Sequence, residues 1–273
     1  MKKILLPFEG SNFPTETLEF AKRLNELSPV MLTGAFVPEV DYAQLFSATG
    51  GMAGAAYIPP IEDEGEIIEK NSARLEDFCK VNGIKHAIHT DRLDFALPSI
   101  RQETRFADLL VLSSQHFFEN INPQQPNAYM KEILHTTECP VMLLPEVFDL
   151  PDNIVLAYDG TPSSVYAIKQ FIYLFPELLN RPATLVYLSE KAGNEFPEET
   201  LVTELAGQHF RELHLLKLKT TPHDFFKTWI PSRETPWLVT GSYGRSDISL
   251  LFSKSFIAEM IRDHRIPVFM AHS

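Results

Sequence analysis

The chain contains itself twice, and that limits its folds more than any other feature. Lys3 to Ser11 reads KILLPFEGS and Asn153 to Thr161 reads NIVLAYDGT. Each is an apolar run, an acid, a glycine and a hydroxyl residue. Each precedes a segment of helical periodicity, TETLEFAKRLNEL in the first copy and SSVYAIKQFIYLF in the second. The endings match as well: YMKEILHTTECPVMLL from Tyr129 and FIAEMIRDHRIPVFMA from Phe256 both run helix, turn, Pro-Val strand. Lys3 lies 150 residues before Asn153 and Tyr129 lies 127 before Phe256, so the second copy is shorter by about two dozen residues. The join falls in PEVFDLPD, Pro145 to Asp152, a short acidic linker containing proline.

Within the first copy the pattern predicts strands at 3–8, 30–37, 85–89, 108–113 and 140–144. Helices are predicted at 14–27, 62–82, 94–105 and 127–137. Continuous apolar strands alternating with amphipathic helices specify βαβ units and a parallel sheet covered on both faces. The expected fold class is α/β: two tandem, doubly wound, Rossmann-like domains related by a pseudo-two-fold. The second copy repeats the plan with a trimmed middle, and its helices around 196–210 and 222–233 are the least defined by pattern. Ligands of such sheets sit beyond the strands' C-terminal ends where strand order reverses. That directs attention to EGS and SSQH in copy one, and to DGT and GSYG in copy two.

Composition removes several classes. Net charge is −12, from 24 basic and 36 acidic residues, with no basic stripe, which argues against nucleic acid and anionic lipid as partners. No apolar run is long enough to span a membrane. The opening MKKILLPFEG reads as a first strand rather than a secretory signal. Two cysteines, Cys79 and Cys139, make no disulfide framework and fit a reducing, cytoplasmic setting as packing residues. His86 and His89 lie three apart on a predicted strand and so face opposite sides, which is poor metal geometry. His116 reads as a loop residue. The small, glycine-rich stretch Phe46 to Pro60 reads as a connecting loop or, alternatively, as a lid or partner surface. No arrangement of nucleophile, base or paired carboxylates points to catalysis.

GSYGRSDISLLFSKSF, Gly241 to Phe256, follows the buried run PWLVT. Such a loop, leading from a strand into a helix, can converge N–H donors on phosphate, and glycine lets the backbone approach. The same letters also describe an ordinary βα turn with glycines for close packing. Taken together, the acid-Gly-hydroxyl opening, Gly-x-x-Gly after the fourth strand and the closing x-Pro-Val strand resemble the universal stress protein family, in a tandem of two domains. The resemblance covers nearly the whole chain, as 1–146 with a degenerate motif and 152–273 with a near-complete one. Members that bind ATP carry G-x-x-G, nine residues, then G-[ST]; others lack it. Copy two matches at Gly241, Gly244 and Ser255, but Lys254 stands where the family has glycine. Copy one has Ser113 and His116 in place of the two glycines, and Glu9 in place of Asp159.

The resemblance implies a cytoplasmic, often dimeric, stress-response protein. Its ligand would be ATP or another adenine nucleotide with Mg²⁺, held by copy two. Asp159 would accept from ribose or adenine, and backbone around Tyr187 would meet the base. Gly241, Ser242, Gly244, Arg245, Lys254, Ser255 and Phe256 would surround the phosphates. Lys254 either neutralises phosphate or closes the site, leaving a protein that acts through an unidentified protein partner. Slow hydrolysis lacks a recognisable base. The closing strands, Val141 to Leu144 and Val268 to Ala271, are expected to pair within the chain, and a homodimer of the whole chain is left open.

Overall fold

The computed structural model describes residues 1–9, 12–37, 64–90, 96–114, 133–188, 195–220, 224–241 and 266–271. The first copy supplies β1 (Lys2–Glu9), α1 (Thr15–Leu27), β2 (Val30–Val37), α2 (Glu64–Val81), β3 (Lys85–Thr90), α3 (Ala96–Thr104), β4 (Leu109–Ser113) and β5 (Val141–Leu144). The second supplies β6 (Asn153–Tyr158), α4 (Pro162–Leu174), β7 (Ala183–Leu188), α5 (Glu199–Gly207), β8 (Leu213–Leu218), β9 (Pro236–Thr240) and β10 (Val268–Met270). Every strand predicted for the first copy is present. The helix predicted at 127–137 is described only at its end, where 133–136 are helical.

All ten strands form one sheet, in the order β3-β2-β1-β4-β5-β10-β9-β6-β7-β8. Read from either end, each half runs third, second, first, fourth, fifth strand. Neighbours are parallel except at the centre, where β5 and β10 run antiparallel with Val268 opposite Leu143, Phe269 opposite Met142 and Met270 opposite Val141. A two-fold relation between the halves demands that inversion. It is the intrachain pairing of closing strands that the family resemblance implied.

Burial follows from this order. The inner strands β4, β5, β9 and β10 are buried along their whole length, as parallel strands covered on both faces must be. The outermost strands, β3 (KHAIHT) and β8 (LHLLKL), are partly exposed and carry Lys85, His86, His89, His214 and Lys217. Charged and titratable residues on edge strands discourage edge-to-edge pairing. In the uncertain middle of copy two, α5 forms, whereas 225–229 make a π-helical turn that tightens to a 3₁₀ turn at Ile230–Ser232. Pro231 accounts for that break, since it cannot donate to a continuing helix.

The two halves share cores on both faces of the sheet. One apolar cluster contains Ile4, Phe8, Leu24 and Phe36 of the first half together with Leu156, Phe171, Trp237 and Phe269 of the second. The other contains Leu5, Leu110 and Leu143 with Val155, Leu238 and Val268. Aromatic rings cross the seam in sequence: Phe148 to Phe20 at 6.0 Å, Phe20 to Trp237 at 5.7 Å, Trp237 to Phe175 at 6.1 Å and Phe175 to Phe269 at 5.7 Å. Trp237 is fully buried, and its indole N–H donates to Asp149 O at 2.9 Å, which anchors the linker. Lys2 Nζ reaches Glu177 Oε2 at 2.8 Å across the same seam and lies 5.6 Å from the Phe175 ring centre.

Two outcomes test this seam. Trp237→Ala empties a buried site shared by both halves, and should cost about 3–5 kcal/mol in a denaturant titration. It should lower the melting of both halves together; a calorimetric trace in which only one half moves would contradict a shared core. The second outcome concerns pH. Burial pushes the Glu177 carboxyl up, but the hydrogen bond and charge of Lys2 outweigh it and hold Glu177 below the usual carboxylate value. A depressed carboxylate stabilises the fold above its unfolded pKa, and that contribution is lost as pH falls through the folded value. Glu177→Gln should therefore lower the neutral plateau of a stability-versus-pH curve and leave its acid end little changed, so that the acid limb flattens.

Candidate functional site

In the second half, β6 and β9 are neighbours from which the chain departs in opposite directions, to β7 on one side and β10 on the other. The crevice beyond their C-terminal ends is where a ligand of such a sheet binds. From β6 it receives Asp159, Gly160 and Thr161, and from β9 Gly241. Ser242, Gly244, Arg245, Lys254, Ser255 and Phe256 lie outside the described residues, as do His116 and the loop Phe46 to Pro60.

Asp159 is half-buried and anchored locally. Its Oδ1 accepts from Thr161 N at 2.9 Å and from Thr161 Oγ1 at 2.6 Å. Thr161 is the N-cap of α4, where its hydroxyl oxygen accepts from Ser164 N at 3.3 Å, and Pro162 follows at the first helical position. The Asp-Gly-Thr-Pro string thus encodes a turn and a helix start, and it aims a carboxylate at the strand end. Gly160 has φ +81°, and a Cβ there would lie 2.9 Å from Pro197 Cβ, so both conformation and space require glycine.

Gly241 has a different reason to be glycine. A Cβ at this position would stand 2.8 Å from Ser163 C and 2.8 Å from Ser164 N, both backbone atoms of the first turn of α4. The end of β9 and the start of α4 meet backbone to backbone. The packing role of this glycine is therefore in place independently of any ligand.

Tyr187 pairs in register with Tyr158 on the adjacent strand. Between them the chain inserts Phe196, its ring 5.6 Å from Tyr158 at an interplanar angle of 17° and 5.3 Å from Tyr187 at 46°. Tyr158 OH donates to Pro197 O at 3.0 Å. Burial, with Glu198 and Asp159 nearby, raises the Tyr158 phenol above its usual value and keeps it a donor. Glu198, the next residue, adopts φ +46°, which costs a non-glycine side chain energy. Sequence reasoning missed this Phe196–Pro197 element. The available signal was the shared position of Tyr158 and Tyr187 on paired strands, which left room for a third ring.

The first half builds a related cluster from other residues. Phe8 stacks on Phe36 at 4.7 Å and 13°, and Phe13 supplies the third ring at 5.2 Å from Phe8. Arg74 lies over Phe13 at 3.9 Å. Ser113, where copy two has Gly241, is buried.

The remaining sequence candidates have structural roles. His86 and His89 sit on edge strand β3, where His86 Nδ1 contacts Ile84 O at 3.2 Å and His89 Nδ1 pairs with Glu103 Oε1 at 2.6 Å. No group of three or more potential metal ligands occurs among the described residues. Cys79 and Cys139 are buried, and desolvation pushes their thiols up to about 11 and about 12, which leaves negligible thiolate at neutral pH. No helix among the described residues is long and apolar enough to cross a membrane.

The crevice geometry makes a stability prediction. Gly241→Ala should cost about 1–3 kcal/mol, because the obstructing atoms are backbone and cannot rotate away. Thr161→Ala should cost about 1 kcal/mol through the lost cap. Urea unfolding at unchanged slope measures both, and a neutral Gly241→Ala would show that the close approach is absent in solution.

No family model matches the chain, and no curated protein matches it. Solved structures do. A universal stress protein from Archaeoglobus fulgidus DSM 4304 is 16% identical, with 99% of this chain and 96% of that chain covered at a TM-score of 0.66. A functionally unknown protein from Pseudomonas aeruginosa PAO1 is 11% identical, with 100% of this chain and 92% of that chain covered at a TM-score of 0.58. Both matches run through the two halves and the seam between them. Along its whole length, this chain has the universal stress protein fold.

Proposed function

We propose that the chain is a regulatory protein of the universal stress type, with domains at 1–146 and 152–273, whose second domain binds an adenine nucleotide and reports its occupancy to a protein partner. The observation that carries the reading is Asp159. It is half-buried at the end of β6, beside Gly241 of β9, and its Oδ1 accepts from both the backbone N–H and the hydroxyl of Thr161. A carboxylate held in one orientation at a strand end is suited to accept from ribose hydroxyls or an exocyclic amine. The sequence that leaves Gly241 supplies Gly244, Arg245 and Ser255 for phosphate and its Mg²⁺. Copy one, with Ser113 for the first glycine, is its degenerate partner. In this reading the protein is cytoplasmic. A homodimer would use surfaces other than the closing strands, which already pair with each other.

One observation favours a second reading, an interaction protein without nucleotide. Phe196 and Pro197 pack over Gly160 and between the two tyrosines, so the chain itself covers part of the strand ends. Lys254 would complete the closure.

Calorimetric titration with Mg-ATP separates the readings. Saturable binding of one nucleotide per chain, abolished in Gly244→Val, is the expected result. Binding that appears only in Lys254→Gly would establish the closed-site reading. If neither the wild-type chain nor Lys254→Gly binds, the nucleotide assignment is wrong.

A further inference from the structure

Alternation along β9 sends Trp237 and Val239 to one core cluster and Leu238 to the other. Thr240, the last residue of the strand, follows Leu238 onto that second face. It is 0% exposed, and among the described residues its Oγ1 has no hydrogen-bond partner. Its carbonyl is engaged, accepting from Ala271 N at 3.3 Å. The hydroxyl is left over.

A buried hydroxyl without a partner gives up its hydrogen bonds to water and regains none. Such a group in a native fold calls for an explanation. A valine would offer the same shape without that cost. Copy one takes the apolar option: Leu112 precedes Ser113 as Thr240 precedes Gly241, and Leu112 is buried in the same cluster. The ladders agree, with Leu112 opposite Leu143 on β5 and Thr240 opposite Met270 on β10.

The hydroxyl of Thr33 is also fully buried and without a partner among the described residues. It lies in the middle of β2, opposite Leu5 of β1, and Thr184 repeats it in the second half, opposite Val155 of β6. A threonine present in both halves belongs to the shared fold. Thr240 occurs only in the half that keeps Asp159 and Gly241. Among the described buried side-chain atoms without a partner, its Oγ1 is also the one at the C-terminal end of a strand.

That end borders the β6/β9 crevice. The register of Leu156 opposite Val239 brings Ala157 beside Thr240, and both are buried. Asp159 follows two residues after Ala157, and Gly241 one after Thr240. Alanine and threonine therefore stand at the base of the crevice, where copy one has the bulkier Pro7 and Leu112.

We propose that the Thr240 hydroxyl is a binding group of this crevice, hydrogen-bonded to the nucleotide when one is bound and left without a partner when none is. The inference rests on the nucleotide reading of the second domain and adds to it a residue outside the glycine motif. Its signature is a pair of opposite effects: the hydroxyl lowers the stability of the empty chain and raises its affinity for ligand.

The test compares the full chain with Thr240→Val and Thr240→Ser. Without ligand, Thr240→Val should melt higher by about 2 °C or more, because an unpartnered hydroxyl is replaced by a methyl group. In calorimetric titration with Mg-ATP it should bind about tenfold more weakly or worse, the usual worth of a hydrogen bond to a charged group. Thr240→Ser keeps the hydroxyl and should bind within a few-fold of wild type, although it melts lower. If nucleotide binds only in Lys254→Gly, the same comparison in that background decides. A Thr240→Val chain that melts lower than wild type overturns the proposal, since the hydroxyl would then have a partner in the fold. Equal affinity in wild type and Thr240→Val overturns it too, and leaves the nucleotide reading intact. Absence of binding in wild type and in Lys254→Gly overturns the nucleotide reading itself, and this role for Thr240 with it.

Discussion

Val268, Phe269 and Met270 pair antiparallel with Leu143, Met142 and Val141, and this short ladder decides what the rest of the molecule can be. Without it each half would be a five-stranded sheet ending in a buried-type strand with one edge unpaired, a template for association. With it, both edges vanish into the middle of a continuous sheet, and only β3 and β8 remain as edges. Three paired residues are too few to hold two domains by hydrogen bonding alone, since each bond contributes about 1 kcal/mol net. The larger contribution is apolar. The seam places Phe20, Trp237, Phe175 and Phe269 in one chain of tilted and edge-on ring contacts on one face and Leu143, Val268 and Leu238 on the other. Two modest cores become one large one.

The same inversion fixes where function can lie. An antiparallel centre between two parallel halves points the C-terminal strand ends of one half opposite to those of the other. The β1/β4 and β6/β9 crevices therefore lie at opposite edges of the sheet. The halves can diverge at those ends without disturbing the shared centre, and they have. Copy two keeps Asp159, Gly160 and Gly241. Copy one replaces the last with Ser113, and Phe13 and Arg74 fill its aromatic cluster instead.

The strands of the first copy, the two-fold relation and the equivalence of the closing strands were legible in the sequence because each rests on local patterns that occur twice. A continuous apolar strand must be covered on both faces, and the x-Pro-Val repeat marked equivalent last strands. Along α4, likewise, Thr161 and Pro162 state the helix start in their own chemistry. What was not legible depends on contacts far apart in sequence. Gly241 reads as a phosphate glycine, yet its close neighbours are the backbone of Ser163 and Ser164. No spacing rule predicts that approach. Phe196 is one aromatic among twenty phenylalanines, and only the register of Tyr158 with Tyr187 reveals the gap it fills.

Gly241 and Asp159 carry a lesson about reading function from this fold. A glycine, a carboxylate or an aromatic in a binding motif also has structural work, and the structure shows how much of the residue that work consumes. Packing accounts fully for Gly241, so its presence carries little weight for a nucleotide. Thr161 engages one oxygen of Asp159, which orients the group rather than exhausting it.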